Sequence, residues 1–513
     1  MWEAIFWGAV LRVIQAALQA APFLFTGLCI AAILHRLLGM EGTRRLFGSN
    51  SIRSLFQAWV IGMLLPGCSL GVIPVVKQMR RAGLAVGTIF AFALSSPLFD
   101  PLSLLYGLTL SKPETILAFA LCSLLVVTVS GALFDRWFPQ TETPGEELPP
   151  TPPGIKRLLA MLVMMARETV SDSMAYMLCG LLGVGLLSTL LPHGSLMRTM
   201  AHDNPYSPLL MTVIAIPAYA TPMTAMGQLG SMFQHGNSIG AAFILLALGA
   251  GMNCGLLLWM LRHYGLKKTC VWLILMLIVV VGLSYGIERP LYPTDIQPAD
   301  HTHAFDIYCC PFAEVPFGGY LAEIARRLKL ESQVHELAGG GLMAALILGG
   351  LALRRLDPHR TVEAWLNQPP SEALQPAWDV NVPAPVLAAA GFVVILAGSI
   401  VGCFAYYPPP DETIAELNIA RTEALGAALS GDKSHALHWI PICENWTRRL
   451  QVGLFLRRGE LSDYHRMKAR IFHDRLELLE HMLEDGAQQP DIRRQVNATS
   501  RAFSRMAHAF LKE

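Results

Sequence analysis

The stretch LPGCSLGVIPVVKQMRRAGLAVGTIFAFALSSPLFDP, Leu65 to Pro101, decides how this chain is read. It is too apolar for a helix that faces water, yet glycine and proline interrupt it near both ends. A membrane-spanning helix needs ~20 mostly apolar residues. Hydrocarbon tolerates irregular backbone only where protein or a cavity shelters it. LPGCSLGVIP and SSPLFDP therefore read as breaks in two membrane helices, with Pro66 and Pro74 in the first and Pro97 and Pro101 in the second. Each proline removes a backbone donor and frees the carbonyl four residues back.

The same text returns further along. At a constant offset of 153, Gly27 aligns with Gly180, Gly83 with Gly236, Gly87 with Gly240, Phe90 with Phe243 and Asp100 with Asn253. GLAVGTIFAFAL thus mirrors GNSIGAAFILLAL. The second half has its own breaks, IPAYATP with Pro217 and Pro222, and GAGMNCG from Gly249 to Gly255. Single glycines recur often in membrane helices, where small residues let backbones approach. Five matches in one register point to a duplication. Duplicated halves with paired helix breaks are the architecture of secondary transporters, whose sites lie near the midplane between the repeats.

Composition agrees. Of 513 residues 53 % are hydrophobic and 15 % charged, against roughly 25 % charged in soluble domains. A net charge of +1 leaves no clustered basic excess for a nucleic acid. Ten cysteines, scattered mostly through apolar text, are no disulfide framework. No basic run precedes the first apolar segment, so the opening helix is expected to be retained. Candidate spans fall at about 4–34, 55–76, 84–110, 115–137, 157–191, 208–229, 238–261, 270–289, 337–353 and 385–407. The fold class expected is all-α: a polytopic membrane protein of about ten transmembrane segments with an internal four-segment repeat, plus a C-terminal soluble helical bundle. Its divisions are 1–138 (first repeat), 139–156 (Pro-rich linker), 157–289 (second repeat), 290–336 (polar His/Cys loop), 337–407 (two further spans) and 408–513 (helical domain). Helices at about 411–430, 433–457, 462–485 and 490–512, broken at Ser-Gly-Asp, Arg-Gly-Glu and Asp-Gly, make that domain a four-helix bundle.

At Leu65–Pro97 the chain resembles a predicted permease family that includes organoarsenical and heavy-metal efflux permeases of the ArsP type. The family typically carries Pro-x-Cys-Ser-Cys-Gly-x-x-Pro, a basic loop, a Gly-rich helix and a Thr-Pro break. Its second-half element is matched by Ala220, Thr221 and Pro222, then by Gly249 and Asn253. The resemblance covers about residues 1–290 and implies secondary-active efflux of a soft metal ion or metalloid across the cytoplasmic membrane. It implies a substrate site at Cys68, Ser69, Thr221, Asn253 and Cys254. Leu70 stands where the family has its second cysteine, leaving Cys68 the single thiol of the motif. A thiolate pair is what binds soft metals strongly, so export of another small solute is the alternative, and a membrane-anchored metal sensor is a further one.

Asp100 is the one ionisable residue between Arg81 and Lys112. An intramembrane carboxylate costs ~2.5–3.5 kcal/mol on insertion scales and faces a cavity or a partner. It is the candidate for proton coupling, with a structural carboxyl at a broken helix as the plainer reading. Glu168 and Asp172 stand at i, i+4 on one expected helix. Met211, Met223, Met226 and Met252 lie near the second-half breaks, where packing explains them as well as soft-cation binding does. His301, His303, Cys309 and Cys310, with Asp306, crowd one loop and form a candidate metal cluster of no familiar zinc spacing. No HExxH, GxSxG or Walker A motif occurs, so neither an enzyme nor an ATP-driven pump is expected, and no cofactor is implied. The partners expected are membrane lipid, a small inorganic or organometalloid substrate and a second copy of the chain, with no nucleic acid. Arg262, Lys267 and Lys268 place their loop inside, which puts the C-terminal domain on the extracytoplasmic side.

Overall fold

The structure, a computed structural model, describes residues 2–48, 51–139, 154–191, 196, 199–292, 305–312, 318–368 and 382–512. Among these the only non-helical pairing is an isolated bridge between Ala201 and Asn237. The chain forms two compact units, Met1–Ser103 with Leu117–Ala397 and Leu104–Ile116 with Gly398–Glu513.

In the first unit, spanning length is rarer than the apolar text suggests. Among the described residues six helices are long and apolar enough to cross a membrane: Trp2–Phe47, Pro113–Trp137, Asp172–Leu190, Leu266–Leu291, Val334–Leu356 and Ala384–Tyr406. The bent pair Ile239–Ala250 and Cys254–Tyr264, which turns by 60°, makes a seventh if counted as one span. Of the about ten segments expected, several of them interrupted, six or seven are thus single helices or bent pairs of spanning length. Three of the expected segments are pairs of short helices: Ile52–Leu64 with Val72–Arg81, Val86–Ser95 with Pro101–Leu110, and Ser207–Ala218 with Pro222–Gln234. A helix of 10 residues, such as Pro101–Leu110, rises ~15 Å, half the hydrocarbon thickness.

The prolines explain these ends. Pro66 and Pro97 lie outside helices, while Pro101 and Pro222 open the next ones. Pro74 sits in the first turn of Val72–Arg81, where an N–H has no intrahelical partner to lose. Pro217 differs from expectation: it lies inside the last turn of Ser207–Ala218 rather than in the break.

The expected segment at 157–191 also divides, into Ile155–Glu168 and Asp172–Leu190. Ser171 caps the second piece, its hydroxyl accepting from Ser173 N at 3.2 Å. Glu168 and Asp172 therefore belong to different helices and share no helical face. The Val334–Leu356 helix packs beside this junction. Gly350 makes that approach possible, since a Cβ there would lie 2.1 Å from the Ala166 carbonyl oxygen. Arg167 then closes the contact with an ion pair to Asp357 at 2.8 Å.

Two carboxylates hold the inner helices from outside. Asp135, on Pro113–Trp137, accepts from Gly87 N at 2.8 Å. Glu288, on Leu266–Leu291, accepts from Gly240 N at 2.6 Å and from the Ser238 hydroxyl at 2.7 Å. A negative charge at a helix N-terminus satisfies donors that the helix itself leaves open. The donor glycines are 153 residues apart, and so are the acceptors.

The second unit contains Pro410–Ser430, Lys433–Arg458, Asp463–Glu484 and Gln489–Leu511. Gly431 and Gly459 end the first two in left-handed backbone, and Asp432 and Ser462 cap the next two. Leu417, Ala424, Ile440, Leu450, Phe472, Leu476, Leu479, Val496 and Phe503 share one buried core. Burying such side chains stabilises by about 1.5–3 kcal/mol each. Leu104–Ile116 belongs to this unit, and Arg466 Nη1 donates to the Thr109 carbonyl at 2.7 Å.

Candidate functional site

Four short helices begin at the breaks, and each begins with the same device. The Cys68 thiol accepts from Gly71 N at 3.3 Å, just before Val72–Arg81. The Thr221 hydroxyl accepts from Thr224 N at 3.2 Å. Asp100 Oδ1 accepts from Ser103 N at 2.6 Å, and Asn253 Oδ1 accepts from Leu256 N at 2.8 Å. Thr221, Asp100 and Asn253 thus answer open donors of a helix start, whereas Cys68 closes the turn just ahead of its helix, whose N-cap is Gly71. Cys68 and Thr221 are 153 residues apart, as are Asp100 and Asn253, and their donors follow at the same offset.

The four breaks meet. Ala220 N donates to the Gly249 carbonyl at 2.9 Å, joining the third break to the fourth. Gly67 lies against Ser96: a Cβ there would come within 2.5 Å of its hydroxyl, joining the first to the second. Gly180, on Asp172–Leu190, is wedged between Leu70 and Asn253, with a Cβ placed 2.4 Å from Leu70 Cδ2 and 2.8 Å from Asn253 Oδ1. Tyr219 completes the ring. Its hydroxyl neighbours the Cys68 thiol and makes no regular hydrogen bond. The Tyr219 backbone is held at φ +23°, a conformation that costs a non-glycine residue about 1–3 kcal/mol.

The ring carries unanswered polar atoms. Ser69 Oγ, Ser96 Oγ and Asn253 Nδ2 are buried without a hydrogen-bond partner, in residues 0 %, 1 % and 0 % exposed. A buried polar group left unpaired costs about 1–3 kcal/mol. All three belong to the breaks, Ser69 next to Cys68 in sequence, Ser96 against Gly67 and Asn253 against Gly180.

A family match spans this whole region, residues 6–288, and its description is predicted permease, ArsP_1. The chain belongs to that family. The UPF0718 protein YcgR of Bacillus subtilis (strain 168) is 22 % identical over 281 residues, covering 53 % of this chain and 93 % of that one. No solved structure matches the chain. With the spanning helices, membership supports a multi-pass membrane transporter. All four breaks of this ArsP_1 permease lie inside the matched region, and everything from residue 289 onward lies outside it.

The other expected residues fall into place around that core. Asp100 is 3 % exposed and forms no ion pair among the described residues; Ser103 holds it through its backbone N–H. Cys254 opens its helix beside Cys179 and Gly183. Met211, Met226 and Met252 are fully buried packing residues. His301 and His303 lie outside the described residues. Cys309 Sγ donates to the Phe305 carbonyl and Cys310 Sγ to the Ala4 carbonyl, at 3.7 and 3.6 Å. Among the described residues no group of three His, Cys, Asp or Glu could hold a metal ion.

Sequence reasoning passes over Tyr219 and Ser96. Only their places inside IPAYATP and SSPLFDP signal them.

Proposed function

We propose that this ArsP_1 permease is a secondary-active exporter of a soft metal ion or metalloid across the cytoplasmic membrane. One observation carries the reading: the helix breaks touch one another, Gly67 against Ser96, Ala220 against Gly249 and Gly180 between Leu70 and Asn253, and they hold the Cys68 thiol beside Tyr219 together with buried, unpaired Ser69, Ser96 and Asn253 atoms. Interrupted helices near the midplane present both free N–H groups and free carbonyls to a solute. The Cys68 thiol adds one ligand for a soft centre. Thr221 caps the mate of the Cys68 helix, and Asp100 is the buried carboxyl able to exchange a coupling proton.

The pairing of contacts at 153 residues supports a duplicated membrane part. In that reading each pair of short helices is a broken or re-entrant span. The C-terminal bundle lies on the extracytoplasmic side, by the basic loop at Arg262, Lys267 and Lys268.

Transport into everted membrane vesicles tests this, with Cu(I), As(III) and a methylated arsenical offered with and without a proton gradient. Gradient-dependent uptake of one species, lost in Cys68→Ser, is the expected result. Failure of every species with folded protein sinks the soft-solute reading.

A second reading has its own observation. Leu70 occupies the place beside Gly180 where a second thiol would sit, and Cys254 lies beside Cys179. One thiol alone suits a small polar solute whose hold comes from Ser69, Ser96 and Asn253. Serine at position 68 would then leave transport intact.

A further inference from the structure

We propose that the groove between the last two helices of the C-terminal bundle is a binding site for a phosphate-bearing anion. The groove encloses about 460 Å³ and is lined by Lys468, Ile471 and Arg475 of Asp463–Glu484 and by Ala498, Arg501, Ala502 and Arg505 of Gln489–Leu511. Four of its seven lining residues are cationic and none is acidic. This is the size of a small-molecule site.

The sequence places these charges deliberately along two stripes. Lys468 and Arg475 stand seven residues apart on one helix, and Arg501 and Arg505 four apart on the next. Like charges at i, i+4 destabilise a helix, and the Arg501–Arg505 pair faces a second cationic row on the neighbouring helix. The helices run antiparallel in register: the Gln495 amide and Thr499 hydroxyl both donate to the Arg475 carbonyl, and His465 meets Phe510 edge to face.

The bundle has carboxylates to spare, and they are engaged elsewhere. Glu477 and Glu484 flank His481, and Glu444 pairs with Arg448. Asp474 adjoins Arg475 in sequence and feels its charge together with those of Arg470 and His473, without forming an ion pair with any groove cation. Among the described residues none of the four groove cations forms an ion pair; Lys468 stacks on the Tyr464 ring at 5.0 Å. Ile471, Ala498 and Ala502 are the remaining lining residues, so every polar side chain lining the groove is cationic. Arginine forks match phosphate oxygens two at a time.

Two sources offer that chemistry, an anionic phospholipid headgroup and a soluble polyphosphate. Arg466, two residues before Lys468, is tied to Thr109 beside the Ser111–Lys112 turn between two apolar helices. Lys468 therefore sits ~3 Å and Arg475 ~13 Å along the helix axis from that tie.

The test uses the full chain. Calorimetry in detergent measures sodium tripolyphosphate binding. Thermal shift in nanodiscs compares phosphatidylglycerol with phosphatidylcholine. The variants are Arg475→Gln/Arg501→Gln/Arg505→Gln and, as control, Arg470→Gln/Arg493→Gln, exposed cations of the same two helices outside the groove.

The expected result is binding or stabilisation by one probe, about tenfold or more weaker in the triple variant and unchanged in the control. A calorimetric response assigns a soluble ligand, and a shift confined to phosphatidylglycerol assigns the lipid. Should the triple variant fail to fold by circular dichroism, Arg505→Gln alone must show the loss. No response to either probe, or an equal loss in the control, overturns the proposal.

Discussion

Lys77 Nζ lies 2.7 Å from Glu168 Oε1, with the Ser173 hydroxyl donating to the same oxygen. The contact ties the helix that starts behind Cys68 to the junction between Ile155–Glu168 and Asp172–Leu190. Side-chain exposures of 23 % and 9 % leave the pair largely withdrawn from solvent. Lys77→Met or Glu168→Gln strands one charge and lowers stability by about 1–3 kcal/mol, less than a fully buried pair would because Lys77 is partly hydrated. The double variant recovers most of the loss. Melting temperatures of all four proteins in detergent check this, and strict additivity of the single losses would refute the pairing.

Asp100 and Asn253 do the same structural task, so an amide suffices for it. Asp100→Asn is expected to melt within about 0.5 kcal/mol of wild type, while Asp100→Ala loses about 1 kcal/mol with the cap. Transport separates the roles. If the carboxyl exchanges the coupling proton, Asp100→Asn abolishes stimulation by a proton gradient in a fully folded protein. Wild-type gradient dependence in that variant would leave Asp100 a cap alone.

Gly27 faces backbone. A Cβ at this position would lie 2.1 Å from the Gly71 carbonyl oxygen, an atom that cannot rotate away. Gly27→Ala should therefore cost about 1–3 kcal/mol by overpacking and displace the Cys68 break. Gly282→Ala, where nothing lies within 4 Å, should be silent. Detergent melting and the rate of Cys68 alkylation read the two effects, and equal behaviour of both variants would contradict the packing.

His481 sits between Glu477 and Glu484, whose hydrogen bonds lift its pKa from 6.5 to about 10. A folded-state pKa above the unfolded one stabilises the bundle fully below about pH 6.5. That contribution fades as pH rises through about 10. The stability gap between wild type and His481→Gln should shrink over that window, followed by thermal melts of the full chain. A gap that widened with pH would reverse the assignment.

The helix breaks are legible because proline and glycine act locally, and Gly431 and Gly459 mark the bundle's turns for the same reason. Length is less legible. Apolar residues continue across Leu65–Gly71 and Ser96–Asp100, so composition alone joins helices that backbone geometry separates. The junction after Glu168 contains neither proline nor glycine. Its signal is Ser171, an N-cap type ahead of an acidic first turn, set within an apolar run that outweighs it. Cys68 and Asn253 can be singled out by residue type and position. Their company cannot, because Tyr219 joins Cys68 from 151 positions away and Ser96 meets Gly67 from 29 positions away, across separate helices. The candidate metal loop shows the converse: its ligand types crowd together in sequence, yet Cys309 and Cys310 bond to carbonyls of different segments.

The carboxylates of Asp135 and Glu288 come from Pro113–Trp137 and Leu266–Leu291, yet they finish the helices that begin near Gly87 and Gly240. A chain leaving the ribosome from its amino end presents the Gly87 amide 48 residues before its acceptor. The wait recurs from Gly240 to Glu288, again 48 residues. In both cases the helix start is completed by a segment made 48 residues later, so neither start has its carboxylate partner until that later helix has been synthesised.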